Sequence, residues 1–197
     1  RRPVEAGRER LEALWQTRRD VGTHGQVRTL LEILHLGGAV PADGPIMDAL
    51  VEAYCLPILS ALPAANAGAE RVLATLAGRG MALALICNTG RTPGSMLRIV
   101  LDRLGLLRYL SILTFSDEVG LRKPHAEVFL RTLASLGVPP GEAAHVGDDV
   151  TTDVAGARGV GMRAVHLCHP GGASREPDGA EAIPSLSALP GLLFSSA

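Results

Sequence analysis

The sequence predicts an α/β protein in which an all-helical module precedes a doubly wound parallel sheet. Three observations carry this. Up to about residue 65 the apolar residues recur at helical spacing; beyond it, four short apolar runs alternate with helix-like segments. The runs are apolar almost throughout instead of alternating with polar residues, as strands covered on both faces are. The expected division is an α-helical subdomain over 1–65 and an α/β domain over 66–197.

Within the first module Leu11, Leu14 and Trp15 share one helical face, as do Val27, Leu30, Leu31 and Leu34. The segment from Ile46 to Leu56 makes a third helix, with Gly/Pro breaks between the three. The stretch 57–66 holds Pro57 and Pro63 and reads as the connector. The four runs that follow are MALALIC (81–87), SILTF (111–115), AAHV (143–146) and RAVHL (163–167). Helix-like segments fall at 67–79, 95–104, 127–136 and 152–158, and Gly80, Gly105 and Gly137 stand where helix exits favour glycine. Internal repeats and low-complexity tracts are absent from the sequence.

Composition narrows the function classes. At 197 residues and 47% hydrophobic content the chain can build a core of ordinary size. Nineteen basic residues balance 20 acidic ones and only 3% are aromatic, so neither a basic footprint nor a stacking platform for nucleic acid is present. Cys55, Cys87 and Cys168 are odd in number and widely spaced, which suits neither a disulfide framework nor a zinc site; reduced thiols in a cytoplasmic protein are expected. No window approaches the roughly 18 apolar residues of a membrane span, and RRPVEAGRER lacks the apolar stretch of a signal peptide.

Ligands of doubly wound sheets bind beyond the carboxyl ends of the strands. After the first run comes Asn88-Thr89-Gly90-Arg91, and after the second comes Ser116 to Lys123-Pro124. After the third comes Gly147-Asp148-Asp149, with Asp153 four residues on. Each residue has an ordinary reading: Thr89 as a turn residue, Lys123 as a solvated charge, Asp148 and Asp149 as acids at a helix N-terminus. Together, at successive strand ends, they favour a site. Crowded carboxylates raise one another's pKa unless something positive stands among them, and a metal ion is the simplest candidate. Of the 19 basic residues Lys123 is the sole lysine. A compact ammonium can stand between close carboxylates where arginine's planar fork fits poorly.

ICNTG, GLRKPHAEVF and HVGDDVTTDVAGARGVGM resemble, in order, the second, third and fourth motifs of the haloacid dehalogenase-like hydrolase superfamily. The resemblance runs from Ala67 to Leu193, and the helical module resembles the cap these enzymes insert after their first strand. It implies a Rossmann-like core and a Mg²⁺-dependent phosphatase acting on a small phosphate ester through a phosphoaspartate. Thr89 would donate to the phosphoryl group, with Asn88 and Gly90 beside it and the backbone N–H groups of Gly90 and Arg91 as further donors. Lys123 would balance charge between nucleophile and phosphate. Asp148 would hold Mg²⁺, with Asp149 and Asp153 completing the metal site by supplying further acid or ordering the metal's waters; oxygen ligands are what this hard cation takes. No nucleic-acid or membrane partner is expected, and a homo-oligomer is compatible with this reading.

The family's nucleophile and general acid are the carboxylates of an Asp-X-Asp motif ending the first strand, and no Asp-X-Asp occurs in these 197 residues. The first aspartate, Asp20, follows a charged helical segment and not a strand. Truncation, completion by another segment and loss of catalysis are the explanations, with truncation favoured and the chain expected to be inactive alone. A 2-haloacid dehalogenase-like hydrolase is the alternative enzyme, although that chemistry leaves the acid cluster without a role. A noncatalytic phosphate- or metal-binding module is the alternative class. Trp15 and Leu14 read as core residues; His24 and Arg28 keep their ordinary reading, with a cleft-facing place on the cap as the alternative. His166, Cys168 and His169 make an incomplete ligand set and are not read as a metal site.

Overall fold

The computed structural model describes residues 3–168 and 181–194, excluding the side chains of Pro3 and Val4. His169 lies outside the described residues. The chain forms two compact units. One takes the residues up to Pro63 together with Cys87–Val100 and Phe115–Arg122; the other takes Ala64–Ile86, Leu101–Thr114 and the residues from Lys123 onward.

The first unit contains α1 (Pro3–Gln16), α2 (Gly22–Ile33), α3 (Pro45–Cys55) and the short α4 (Pro57–Ser60). Proline opens α3 at a position where its missing N–H would have had no helical partner. Val27 and Leu31 of α2 pack with Met47 of α3 into a small core, flanked by Val40, Val51 and Tyr54. The helices also grip the loop that follows the first strand. Gln26 is buried, donates through Nε2 to the Gly90 carbonyl at 2.8 Å and accepts the Tyr54 hydroxyl at 3.4 Å. Arg91 donates to the Tyr54 carbonyl at 2.5 Å and lies over its ring. A short antiparallel bridge, Arg19 with Leu121, ties the segment after α1 to the segment just before Lys123.

The sheet strands are β1 (Ala84–Cys87), β2 (Ile112–Phe115), β3 (Ala144–Gly147), β4 (Arg163–Leu167) and β5 (Glu181–Ile183). Helices α5 (Ala69–Gly78), α6 (Gly94–Arg103), α7 (Ser116–Val119), α8 (Ala126–Leu136), α9 (Ala155–Gly159) and α10 (Leu189–Phe194) alternate with them or close the fold. Strands β3, β4 and β5 run parallel in that order, with Val146 opposite Val165 and His166 opposite Ala182. Val72 and Leu76 of α5, Val165, Ile183 and Leu189 form the main core cluster. Val128 and Phe129 of α8 are fully buried, and Gly137 ends that helix at φ 68°, a left-handed exit that glycine takes without strain.

The α/β alternation is as the sequence predicts, with two differences. The strands form a pair, β1 with β2, and a separate trio. Among the described residues no ladder joins β1 to β3. The second difference is β5, which sequence patterning does not reveal: it is three residues long and begins on an exposed glutamate.

Space around α8 is tight at one point. A Cβ on Gly156 would lie 2.7 Å from the Phe129 ring and 3.1 Å from Pro124 Cβ, whereas one on Gly159 meets nothing within 4 Å. Overpacking against a buried ring costs about 1–3 kcal/mol. Gly156→Ala is therefore expected to lower the urea-unfolding free energy by that amount, with Gly159→Ala unchanged or more stable.

Candidate active site

In the second unit the chain leaves β3 at Gly147 and enters the acid cluster. Asp148 is exposed. Asp149 caps the following turn, its Oδ1 accepting the N–H groups of Thr151 at 2.8 Å and Thr152 at 2.7 Å. The turn Val150–Val154 is wider than an α-turn, with the Val154 N–H reaching back to the Asp149 carbonyl at 3.2 Å. This brings Asp153 against Gly147, where any side chain would collide: a Cβ there would sit 2.2 Å from Asp153 Cγ.

Asp153 is buried and fully engaged. Its Oδ1 accepts from Lys123 Nζ at 2.6 Å and from His145 Nε2 at 2.9 Å; its Oδ2 accepts the Asp149 N–H at 3.2 Å. Burial alone would raise its pKa. The His145 hydrogen bond and the charge and hydrogen bond of Lys123 outweigh that and hold the carboxyl well below the usual carboxylate range. With the carboxylate ionised, His145 Nε2 carries the proton and donates. Lys123 Nζ also donates to the Ile86 carbonyl at 2.8 Å, so the ammonium is tied to the end of β1 as well as to Asp153. The His145 ring meets Phe129 edge-on at 5.2 Å.

His166 supports the same loop from β4. A carbonyl only accepts, so His166 Nε2 donates to the Asp148 carbonyl at 3.2 Å, which leaves Nδ1 facing Cys168 Sγ at 3.6 Å. All three cysteines are free thiols.

A second polar cluster lies in the first unit. The Asp20 side chain has no solvent exposure and pairs with Arg122 Nη1 at 2.6 Å. The same oxygen accepts the Ser116 hydroxyl at 2.5 Å and the Thr89 hydroxyl at 3.3 Å, while Oδ1 accepts the Gly22 N–H at 2.9 Å. Arg122 also donates to the Thr89 carbonyl at 2.5 Å and lies over the Trp15 ring. Thr89 is buried; its N–H donates to Ser116 Oγ at 2.7 Å and its hydroxyl accepts the Asp117 N–H at 3.2 Å.

Of the residues singled out in the sequence, Lys123, Asp149 and Asp153 are thus joined in one network, with Asp148 adjoining it. Asn88, Thr89 and Gly90 belong to the loop held by Gln26, Ser116 and Arg122. Among the described residues no three His, Cys, Asp or Glu side chains are gathered into a metal-holding group. That is compatible with Mg²⁺, which uses one or two carboxylates and fills its octahedron with water and substrate oxygens. Asp148 presents an exposed carboxylate at the strand end, while Asp149 also caps the turn and Asp153 also anchors Lys123. Sequence reasoning missed Asp20, Ser116, Arg122 and His145. Only His145, an imidazole inside an apolar run next to the Gly-Asp-Asp, left a visible signal.

Parallel α/β structure with polar residues after successive strands is a ligand-binding architecture. The model of the haloacid dehalogenase-like hydrolases matches residues 5–161, and the chain belongs to that family. It is 41% identical over 118 residues to a phosphoserine phosphatase of Thermus thermophilus, covering 60% of this chain and 45% of that protein. It is 35% identical over 133 residues to a ribulose-1,5-bisphosphate 5-phosphatase of Halopiger xanaduensis, covering 67% and 52%. Among solved structures, a HAD phosphatase from Thermococcus onnurineus superposes with a TM-score of 0.59 at 27% identity, over 95% of this chain and 79% of that one. The chain spans about half the length of the curated relatives it matches. No described helix is long and apolar enough to cross a membrane.

Two measurements test this arrangement. Removing one member of a buried ion pair strands the other charge and costs about 3–5 kcal/mol, so Asp20→Ala is expected to lose that much in urea unfolding. Asp153 has a folded pKa below its ordinary value of 3.8, so its contribution is complete above that pH and drains away as pH falls through the folded value. The stability gap between wild type and Asp153→Asn is expected to narrow as pH is lowered below 3.8.

Proposed function

We propose that this chain supplies the phosphoryl- and metal-binding residues of a Mg²⁺-dependent phosphomonoesterase acting on a small phosphorylated metabolite. The observation that supports it most is the sole lysine, held as an ammonium between the Asp153 carboxylate and the Ile86 carbonyl. Catalysis of phosphoryl transfer is mainly positioning and electrostatic stabilisation, and an ammonium fixed at two points needs no reorganisation as charge develops on the phosphoryl oxygens. The names of several relatives, phosphatases of phosphorylated small molecules, favour the same class.

In this reading Asp148 holds Mg²⁺, which when bound would draw charge from the phosphoryl oxygens. Asp153 orients Lys123, Asp149 shapes the turn, and the Asn88-Thr89-Gly90 backbone receives the phosphate. The Thr89 hydroxyl, already engaged by Asp20, Ser116 and Asp117, fixes that loop. Asp20 is sealed beneath four donors and is no nucleophile. The phosphoaspartate route therefore needs an attacking carboxylate from an Asp-X-Asp strand.

The test assays the chain on a small phosphate ester with Mg²⁺, alone and after joining an N-terminal apolar strand ending in Asp-X-Asp. Turnover that requires the added strand and is abolished by a chelator is expected; turnover by the chain alone that is lost in Asp148→Asn would assign the attack to a residue already present. In the active form Lys123→Ala is expected to lower kcat by about 10²-fold or more. Lys123→Arg should be nearly as impaired, because the guanidinium fork does not fit the ammonium's place. Asp148→Asn is expected to weaken Mg²⁺ binding in calorimetry, since a neutral amide offers a weaker oxygen and no charge.

A further inference from the structure

His145 lies within β3 with its side chain largely buried, and its Nε2 bonds the oxygen of Asp153 that also receives Lys123. We propose that His145 is a positioning residue: by donating from Nε2 to Asp153 Oδ1, and by being wedged edge-on against Phe129, it fixes the carboxylate that in turn holds the Lys123 ammonium in place. Without that donor, the Lys123 ammonium and the Asp149 N–H are, among the described residues, what remains to set the rotation of Asp153. The ammonium is flexible at the end of four methylenes, and the Asp149 contact is the longest of the three. An imidazole on a strand residue, with its ring held against a fully buried aromatic, is a stiffer donor than the ammonium. Ring and carboxylate are thereby coupled to the packing of α8.

The catalytic consequence rests on the phosphatase reading, but the positioning itself does not, and the sequence provides a clean reporter for it. Lys123 is the sole lysine of the chain, so protein labelled with ¹⁵N at the lysine side chain gives a single Nζ signal, whose proton exchange with water reads how firmly the ammonium is held. His145→Phe keeps an aromatic ring and removes the donor; His145→Gln offers an amide N–H that can stand in for Nε2.

Loss of one hydrogen bond to a charged group corresponds to about tenfold in the opening equilibrium. The ammonium protons of His145→Phe are therefore expected to exchange about tenfold faster than wild type, with His145→Gln within about threefold of it. Circular dichroism is used to confirm that the variants keep the fold. Unchanged or slower exchange in folded His145→Phe, or His145→Gln as fast as His145→Phe, would overturn the proposal. If His145→Phe does not fold, the comparison of His145→Gln with His145→Asn, whose shorter amide does not reach Asp153, decides it by the same readout. In an active form carrying the Asp-X-Asp strand, His145→Phe should lower kcat with little change in KM and His145→Gln should restore it. Failure of all phosphate-ester turnover would remove the phosphatase reading and leave the exchange result standing.

Discussion

The Asp153 carboxylate is the point on which the candidate site depends. It is buried, so it is stable as an anion only because three donors converge on it: Lys123, His145 and the Asp149 N–H. Each donor comes from a different segment of the chain, and one anion holds the lysine, the end of β3 and the turn after it in a single arrangement. Gly147 is the geometric condition for this, because a side chain there would occupy the space of the carboxylate. The wide turn Val150–Val154 is the backbone device that delivers Asp153 to that space.

Asp20 plays the corresponding part in the first unit. Its carboxylate is also buried, also paired with a cation, and also surrounded by hydroxyl and backbone donors. The cations differ in a way that fits the geometry. Arg122 lies over Trp15 while reaching Asp20 and the Thr89 carbonyl, which uses the flat, many-donor guanidinium. Lys123, the next residue, makes point contacts with two oxygens and needs only an ammonium. Adjacent cations in the sequence thus serve two anions in two different units, and the chain's bias to arginine is broken where the contact demands it.

Much of this is legible in the sequence. Four of the five described strands and helices α1, α2 and α3 follow from apolar periodicity. What patterning does not carry is partner choice among polar groups. Asp149 and Asp153 read as equivalent acids beside Asp148, yet one caps a turn and the other anchors a lysine, a difference set by a wide turn that no local propensity announces. The family resemblance implies Thr89 as a phosphate donor; that its hydroxyl also meets Asp20, 69 residues away in sequence, is a matter of tertiary packing that no local pattern shows. The strand β5 was hidden for a simpler reason: three residues give no period to detect.

The ionic arrangement also explains why an acid-rich strand end need not destabilise the fold before any cation binds. Repulsion among Asp148, Asp149 and Asp153 would be costly if all three shared one low-dielectric space. They do not: Asp148 is exposed, Asp149 turns its oxygen onto two backbone N–H groups, and only Asp153 is buried, against Lys123. Each charge has been given its own compensation by solvent, by backbone dipoles or by an ammonium. The Asp148 carboxylate stays exposed at the strand end, beside the turn that Asp149 caps. Close spacing in the sequence thus becomes separation in environment, and a strand end can carry three acids without their repulsion being concentrated in one buried space.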